Sequence, residues 1–92
     1  MNQEEFTTKA EELLLDNGYD GIKYLVDFSY DDALIGVTDE GRAVYDYQKM
    51  IGWIVRTQGW TEEEAAEWID YNTVRSLPYM GEGAPTVMYP LI

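Results

Sequence analysis

The excess of acidic residues is the feature that most constrains how this chain can fold. Its 92 residues carry 18 Asp and Glu against 6 Lys and Arg, which gives a formal net charge of -12, and they contain no His. Mutual repulsion of this size destabilises any compact state. Because there is also no Cys, no disulfide can offset the repulsion, and the fold must depend on its apolar core. With 46% hydrophobic and 14% aromatic residues, the composition supplies such a core, and the length predicts a single domain over residues 1–92.

The spacing of apolar residues in the first half predicts one helix and then short strands. Helical spacing over residues 3–16, ended by Asn17 and Gly18, predicts the first helix. Alternation over Ile22–Phe28, followed by two short apolar runs at 33–37 and 42–45, is typical of strands joined by turns. We therefore expect a small antiparallel sheet after the first helix.

The second half predicts two consecutive helices and a closing strand. Helical spacing resumes over 47–58, and Thr61 with Glu64 three residues later forms a capping box, which predicts a third helix from Glu62 to about Arg75. The β-prone stretch Thr86–Tyr89 lies between two prolines, which favours a position at a sheet edge. The fold class predicted is therefore α+β: an N-terminal helix, a small antiparallel sheet, two consecutive helices and a C-terminal edge strand.

The charge is distributed unevenly, and its distribution argues against several ligands. Residues 1–40 hold 11 acids and 2 bases, a net charge of -9, whereas residues 41–92 hold 7 acids and 4 bases, a net charge of -3. Direct binding of nucleic acid needs clustered cations. The six cations here are isolated from one another: Lys9, Lys23, Arg42, Lys49, Arg56 and Arg75.

No targeting or membrane segment is apparent in the sequence. The first five residues include Glu4 and Glu5, where a signal peptide would be basic. No apolar run approaches the length that crosses a bilayer. We therefore expect a cytoplasmic protein that does not enter membranes.

The residue types that usually carry catalysis are missing or poorly placed. Without His or Cys the chain lacks the usual nucleophilic triads and thiolate metal sites. The carboxylate clusters at 31–32 and 62–64 fall on a turn and a first helical turn, where they are expected to stay solvated and ionised. We expect no enzymatic activity and no cofactor.

A partial calcium-loop pattern has a simpler interpretation. Asp16, Gly18, Asp20, Gly21 and Asp27 match positions one, three, five, six and twelve of an EF-hand. Position three has no ligand, position twelve is the shorter carboxylate, and a strand instead of a helix is predicted to follow. The pattern therefore favours a helix end followed by an Asp-Gly turn, and no metal site is predicted.

Aromatic, amide and guanidinium groups are concentrated in Trp68–Tyr79. One interpretation is structural: Asn72 and Arg75 would hydrogen-bond the following loop and the last strand, with Trp68 and Tyr71 packed beneath them. The other interpretation is a binding surface, and the structural one is favoured.

Residues 61–79, together with 45–50 and 85–89, resemble small uncharacterised proteins of bacterial phages and mobile elements. The specific part is Glu67–Tyr79, with the pattern E-W-I-x-Y-N-T-x-R-x-L-P-Y. The resemblance covers about the C-terminal half. It implies a setting in the bacterial host cell, where some small acidic phage proteins, the anti-CRISPR proteins, mimic nucleic acid with carboxylates.

Two functional hypotheses follow from these observations. In the first, the chain is an anti-CRISPR-type inhibitor that mimics DNA and occupies a basic surface, the DNA-binding channel of a CRISPR effector. In the second, it is a non-catalytic accessory protein of a phage or mobile element that uses Trp68–Tyr79. The partner-binding residues expected for the first are Asp16, Asp20, Asp27, Asp31, Asp32, Asp39, Glu40, Glu62, Glu63, Glu64 and Glu67.

Overall fold

A computed structural model describes residues 8–92 of the chain. Helix α1 spans Lys9–Asp16. Thr8 is its N-cap, and the Thr8 side-chain oxygen accepts a hydrogen bond from the Glu11 amide at 3.1 Å. It ends at Asn17, as predicted. The earlier part of the predicted helix, residues 3–7, lies outside the described residues.

The segment Ile22–Phe28 is not a strand, which corrects the sequence prediction. Ile22, Tyr24 and Phe28 pack against the core, but Leu25 is buried and Val26 is 70% exposed, so the alternation breaks at these two positions. The Leu25 amide donates to the side-chain hydroxyl of Tyr45 at 3.1 Å instead of to another strand. Gly21, at φ +80°, precedes this irregular segment and turns the chain into it.

The sheet has three short strands in the order β1-β2-β3, formed by β1 (Leu34–Val37), β2 (Ala43–Asp46) and β3 (Thr86–Met88). A 3₁₀ turn, Asp31–Ala33, leads into β1. Strands β1 and β2 are antiparallel, as predicted, and β3 is at the sheet edge, also as predicted. However, β3 pairs with β2 in parallel. The two helices between β2 and β3 form the long connection that parallel pairing requires.

Helices α2 (Tyr47–Gln58) and α3 (Glu62–Trp68) follow the sheet, as predicted. The side chain of Asp46 caps α2, and Gly59 ends it in the left-handed conformation at φ +73°. Both hydrogen bonds of the capping box between Thr61 and Glu64 are present at the start of α3. The α+β fold class is thereby confirmed.

The third helix changes its geometry after Trp68, which the sequence did not predict. A π-helical segment spans Ile69–Val74, and a 3₁₀ helix spans Leu77–Met80 after it. Three residues at intervals of four face the core: Ala65, Ile69 and Thr73. In an α-helix a four-residue interval drifts by about 40° per step. The wider π turn reduces that drift and keeps Thr73 directed inward.

Tyr30 lies at the centre of the hydrophobic core. It is 1% exposed, and its ring makes edge or tilted contacts with Phe28, Tyr45 and Trp53. Its hydroxyl is 2.8 Å from the side-chain oxygen of Thr73. Among the described residues Tyr30 is the one non-glycine with positive φ, at 50°. The hydrogen bond between Tyr30 and Thr73 joins the irregular segment before β1 to the π-helical segment.

We predict that Thr73→Val destabilises the fold by about 1–3 kcal/mol, because it leaves the buried Tyr30 hydroxyl without a partner. Tyr30→Phe removes the other hydroxyl of the same hydrogen bond. Urea unfolding of both single variants and the double variant measures the coupling, and the double variant should lose less than the sum of the two. Additive losses would show that the two hydroxyls do not stabilise each other.

A second prediction concerns alkaline pH. Burial raises the pKa of the Tyr30 phenol from 10.0 to about 12; the hydrogen bond with Thr73 partly opposes this, and the charge of Asp27 adds to it. Because the folded-state pKa lies above the unfolded value, the stabilisation is complete below pH 10 and is lost as the pH rises towards 12.

The free energy of unfolding should therefore fall above pH 10 by up to about 1.4 kcal/mol per pH unit from this group. Tyr30→Phe should make the fall shallower but not abolish it, since burial also raises the pKa of Tyr45. Equal slopes for wild type and Tyr30→Phe would contradict this assignment.

Candidate functional site

The acidic residues predicted to bind a partner lie at the surface. Of the eleven, ten are exposed and Asp31 is partly buried. They fall into three groups along the fold: Asp16 and Asp20 at the end of α1 and beyond it, Asp39 and Glu40 in the turn between β1 and β2, and Asp27, Asp31, Asp32, Glu62, Glu63, Glu64 and Glu67 around α2 and α3.

Aromatic packing brings Asp27, one member of the third group, close to α3. The Phe28 ring stacks on Trp68 with centroids 4.4 Å apart and lies 5.9 Å from Trp60. This contact places the neighbouring Asp27 beside α3, which carries four of the predicted carboxylates. The sequence separates Asp27 from α3 by more than 30 positions, so its spacing alone could not show this proximity.

Little of this negative charge is neutralised within the described residues. Sixteen of the 18 acids lie in residues 8–92, and the one ion pair found there joins Arg56 to Asp32, both well exposed. Two other cations bind backbone carbonyl oxygens: Lys23 donates to Met80 at 2.6 Å and Arg42 donates to Ala84 at 2.8 Å. The acidic surface therefore keeps nearly all of its charge available to a partner.

Two adjacent concavities flank Trp68 and Asn72. The first, of about 330 Å³, is lined by Trp60, Glu64, Glu67, Trp68, Tyr71 and Asn72, and we name this set the Trp68 face. The second, of about 220 Å³, lies between the irregular segment and the π-helical segment, and it includes Asp27, Tyr30 and Thr73. Carboxylates and exposed aromatic rings thus share one side of the molecule.

The structure corrects the favoured interpretation of Trp68–Tyr79. The side chain of Asn72 donates to the Trp68 carbonyl at 3.0 Å, within its own helix, and not to the loop or the last strand. Arg75 lies over the Tyr71 ring, 5.1 Å from its centroid. Tyr71 is 66% exposed, so it does not pack beneath them. Only Trp68 packs inward as expected, on Phe28.

The sequence contained an unused signal for the Trp68 face. Glu64 and Trp68 are four positions apart, as are Glu67 and Tyr71, which is the spacing of neighbours on one side of a helix. Trp60 directly precedes the helix N-cap. The prediction included Glu64 and Glu67 among the partner-binding acids, but it treated Trp68 as packing and left Trp60 out of the site. The side of the helix that Glu64 and Trp68 share was therefore missed.

The calcium-loop pattern folds as a helix end and turns. Gly18 and Gly21 adopt positive φ, at 87° and 80°. Within residues 8–92, no group of three or more metal-ligating side chains is placed to hold an ion. No helix in that same range is long and apolar enough to cross a membrane.

Comparisons of the chain with family models, with curated proteins and with solved structures found no significant match. The likeness of Glu67–Tyr79 to phage and mobile-element proteins therefore stays a prediction.

We predict that salt stabilises this fold. With a net charge of -12 and one ion pair in the described part, screening removes more repulsion than attraction. The melting temperature at neutral pH should rise as NaCl increases from about 10 mM to about 500 mM, a range over which the Debye length falls severalfold. A constant or falling melting temperature would show that the surface charges do not repel one another appreciably.

Proposed function

We propose that this protein is a non-catalytic inhibitor that occupies a basic, nucleic-acid-binding surface of another protein. In its most specific form it is an anti-CRISPR-type DNA mimic that acts in the bacterial cytoplasm and blocks the DNA-binding channel of a CRISPR effector. It uses no cofactor and does not itself bind nucleic acid.

The observation that supports this proposal is the combination of exposed carboxylates with a single ion pair in residues 8–92. Arg42 and Lys23 bind carbonyl oxygens, and Arg56 pairs with Asp32. An unneutralised surface attracts a positive channel over several ångströms and accelerates association. Competition then follows, because the same lysines and arginines cannot contact DNA phosphates at the same time.

The placement of Asp27 beside α3 adds a local argument. Asp27 lines one concavity and Glu64 and Glu67 line the other, and the two concavities share Trp68 and Asn72. A convergent patch of charge fits a partner groove better than isolated acids do. The groups at Asp16 and Asp39 would add to the long-range field.

A second function is favoured by a specific observation. Tyr71 is 66% exposed and Tyr79 is 90% exposed. Exposed aromatic side chains are common anchors in protein interfaces. In this alternative the chain is an accessory protein of a phage or mobile element, and Trp68–Tyr79 makes the contacts while acidity serves solubility.

The test of the inhibitor proposal is a matched pair of charge reversals. Asp27 and Glu63 are exposed, and neither makes a hydrogen bond or ion pair within the described residues. Asp32 and Glu64 are unsuitable, because one pairs with Arg56 and the other caps α3. The double variant Asp27→Lys and Glu63→Lys therefore removes surface charge with little structural consequence.

The control double variant is Glu12→Lys and Glu82→Lys. Like Glu63, Glu12 lies in the first turn of a helix, and like Asp27, Glu82 lies in a loop, so both double variants change the net charge equally. Displacement of labelled duplex DNA from a CRISPR effector is followed by fluorescence anisotropy.

The Asp27→Lys and Glu63→Lys double variant should raise the concentration needed for half-inhibition at least about tenfold. The Glu12→Lys and Glu82→Lys control should raise it less than about threefold. If both folded variants inhibit as wild type does, or if wild type displaces no DNA at low salt, the inhibitor proposal fails.

A further inference from the structure

The larger of these two concavities is an open surface depression lined by aromatic and acidic side chains. The Trp60 and Trp68 rings pack against each other, with centroids 6.4 Å apart and an interplanar angle of 59°, and both line the concavity. Tyr71 lies along the same side of the helix, and its ring is largely exposed. Aromatic faces arranged around a cavity attract cations through the negative potential of their π systems.

The polar side chains of the cavity supply hydrogen-bond acceptors. One carboxylate oxygen of Glu64 accepts from the Thr61 amide at 2.9 Å, which leaves the other oxygen available. The amide nitrogen of Asn72 donates to the Trp68 carbonyl, which leaves its side-chain oxygen as an acceptor. Glu67, exposed between them, adds a second carboxylate. A ligand for this cavity must therefore be positively charged and rich in donors.

A guanidinium group meets these requirements better than an ammonium group. It is planar and stacks on aromatic rings, and its five N–H donors can reach several acceptors at once. The chain itself contains such a contact, because the Arg75 guanidinium lies 5.1 Å from the Tyr71 ring centroid. Arg75 is not among the residues that line the cavity, so the cavity is left open to an external group.

We propose that the Trp68 face binds one arginine side chain of the basic partner protein. The guanidinium lies over the solvent-facing side of the Trp60 and Trp68 pair, and it donates hydrogen bonds to Glu64, Glu67 and the Asn72 oxygen. This inference rests on the proposed function, since it assumes a basic partner. It assigns the position at which one cation of that partner is held.

The test is a titration monitored by the indole N–H resonances in NMR spectra of the ¹⁵N-labelled protein. The probe is a capped Gly-Arg-Gly peptide. Trp60 and Trp68 should shift on titration, and Trp53, which contacts Phe28 and Tyr30 but does not line the cavity, should not.

Two other peptides distinguish the contributions of charge and shape. A peptide with citrulline in place of arginine has nearly the same shape without the charge, and it should leave the indole resonances unchanged. A peptide with lysine should bind at least about threefold more weakly than the arginine peptide, because ammonium cannot stack. Equal shifts with citrulline, or no shift with arginine, would overturn the site, and equal affinity for lysine would overturn the guanidinium assignment.

The variants Glu67→Gln and Tyr71→Leu test the lining residues. Both positions are exposed, so each variant should keep the dispersed spectrum of a folded protein. Each should weaken arginine-peptide binding at least about threefold, in line with loss of a charge-assisted or cation-aromatic contact. The control Glu82→Gln removes an equal charge outside the cavity and should have little effect. Identical affinities for Glu67→Gln and Glu82→Gln would overturn the assignment.

Failure of this inference is distinguishable from failure of the proposed function. If no peptide binds but the Asp27 and Glu63 reversals abolish DNA displacement, the arginine site is wrong and the inhibitor proposal stands. If arginine binds as described but the wild-type chain displaces no DNA, the inhibitor proposal is wrong and the site belongs to another basic partner.

Discussion

The hydrogen bond between the buried phenol of Tyr30 and Thr73 is the interaction on which the rest of the structure depends. The Tyr30 hydroxyl, 2.8 Å from the Thr73 oxygen, connects a segment with no regular secondary structure to the π-helical part of the third helix. A left-handed backbone at Tyr30 is unfavourable for a bulky residue and persists because the surrounding aromatic packing stabilises it. The same packing aligns Phe28 with Trp68 and so brings Asp27 to the acidic side of α3. The core hydrogen bond and the surface patch are therefore parts of one arrangement.

The elements that the sequence predicted correctly are those whose signals are local. The capping box at Thr61, the stop at Gly59 and the proline-bounded strand after Pro85 each depend on neighbours within a few residues. The segment Ile22–Phe28 was misassigned because its alternation is also compatible with an irregular chain held by a distant tyrosine hydroxyl. The parallel pairing of β3 and the π-helical geometry could not be predicted from the sequence, because both are set by tertiary packing.

The candidate site was predictable in composition but not in arrangement. Exposure of the acids follows from their chemistry, and ten of the eleven are exposed. What spacing could not indicate is how the cations are used: Arg42 and Lys23 bind carbonyl oxygens, and Arg75 lies on an aromatic ring. As a result the charge and the aromatic residues, which were assigned to two competing hypotheses, lie together on the Trp68 face. An acidic surface with an aromatic cavity suits a basic protein partner by both long-range attraction and a specific contact.

In the function that we propose, this chain and DNA compete for one basic surface. The most direct measurement is the affinity of the labelled protein for a CRISPR effector before and after the effector is loaded with its target duplex. If the two compete, the protein should bind the DNA-free effector measurably, and salt should weaken this binding. Its affinity for the DNA-loaded effector should be at least about tenfold lower. Equal affinity for the two forms would contradict this competition, because a protein that binds both equally cannot act by occupying the DNA site.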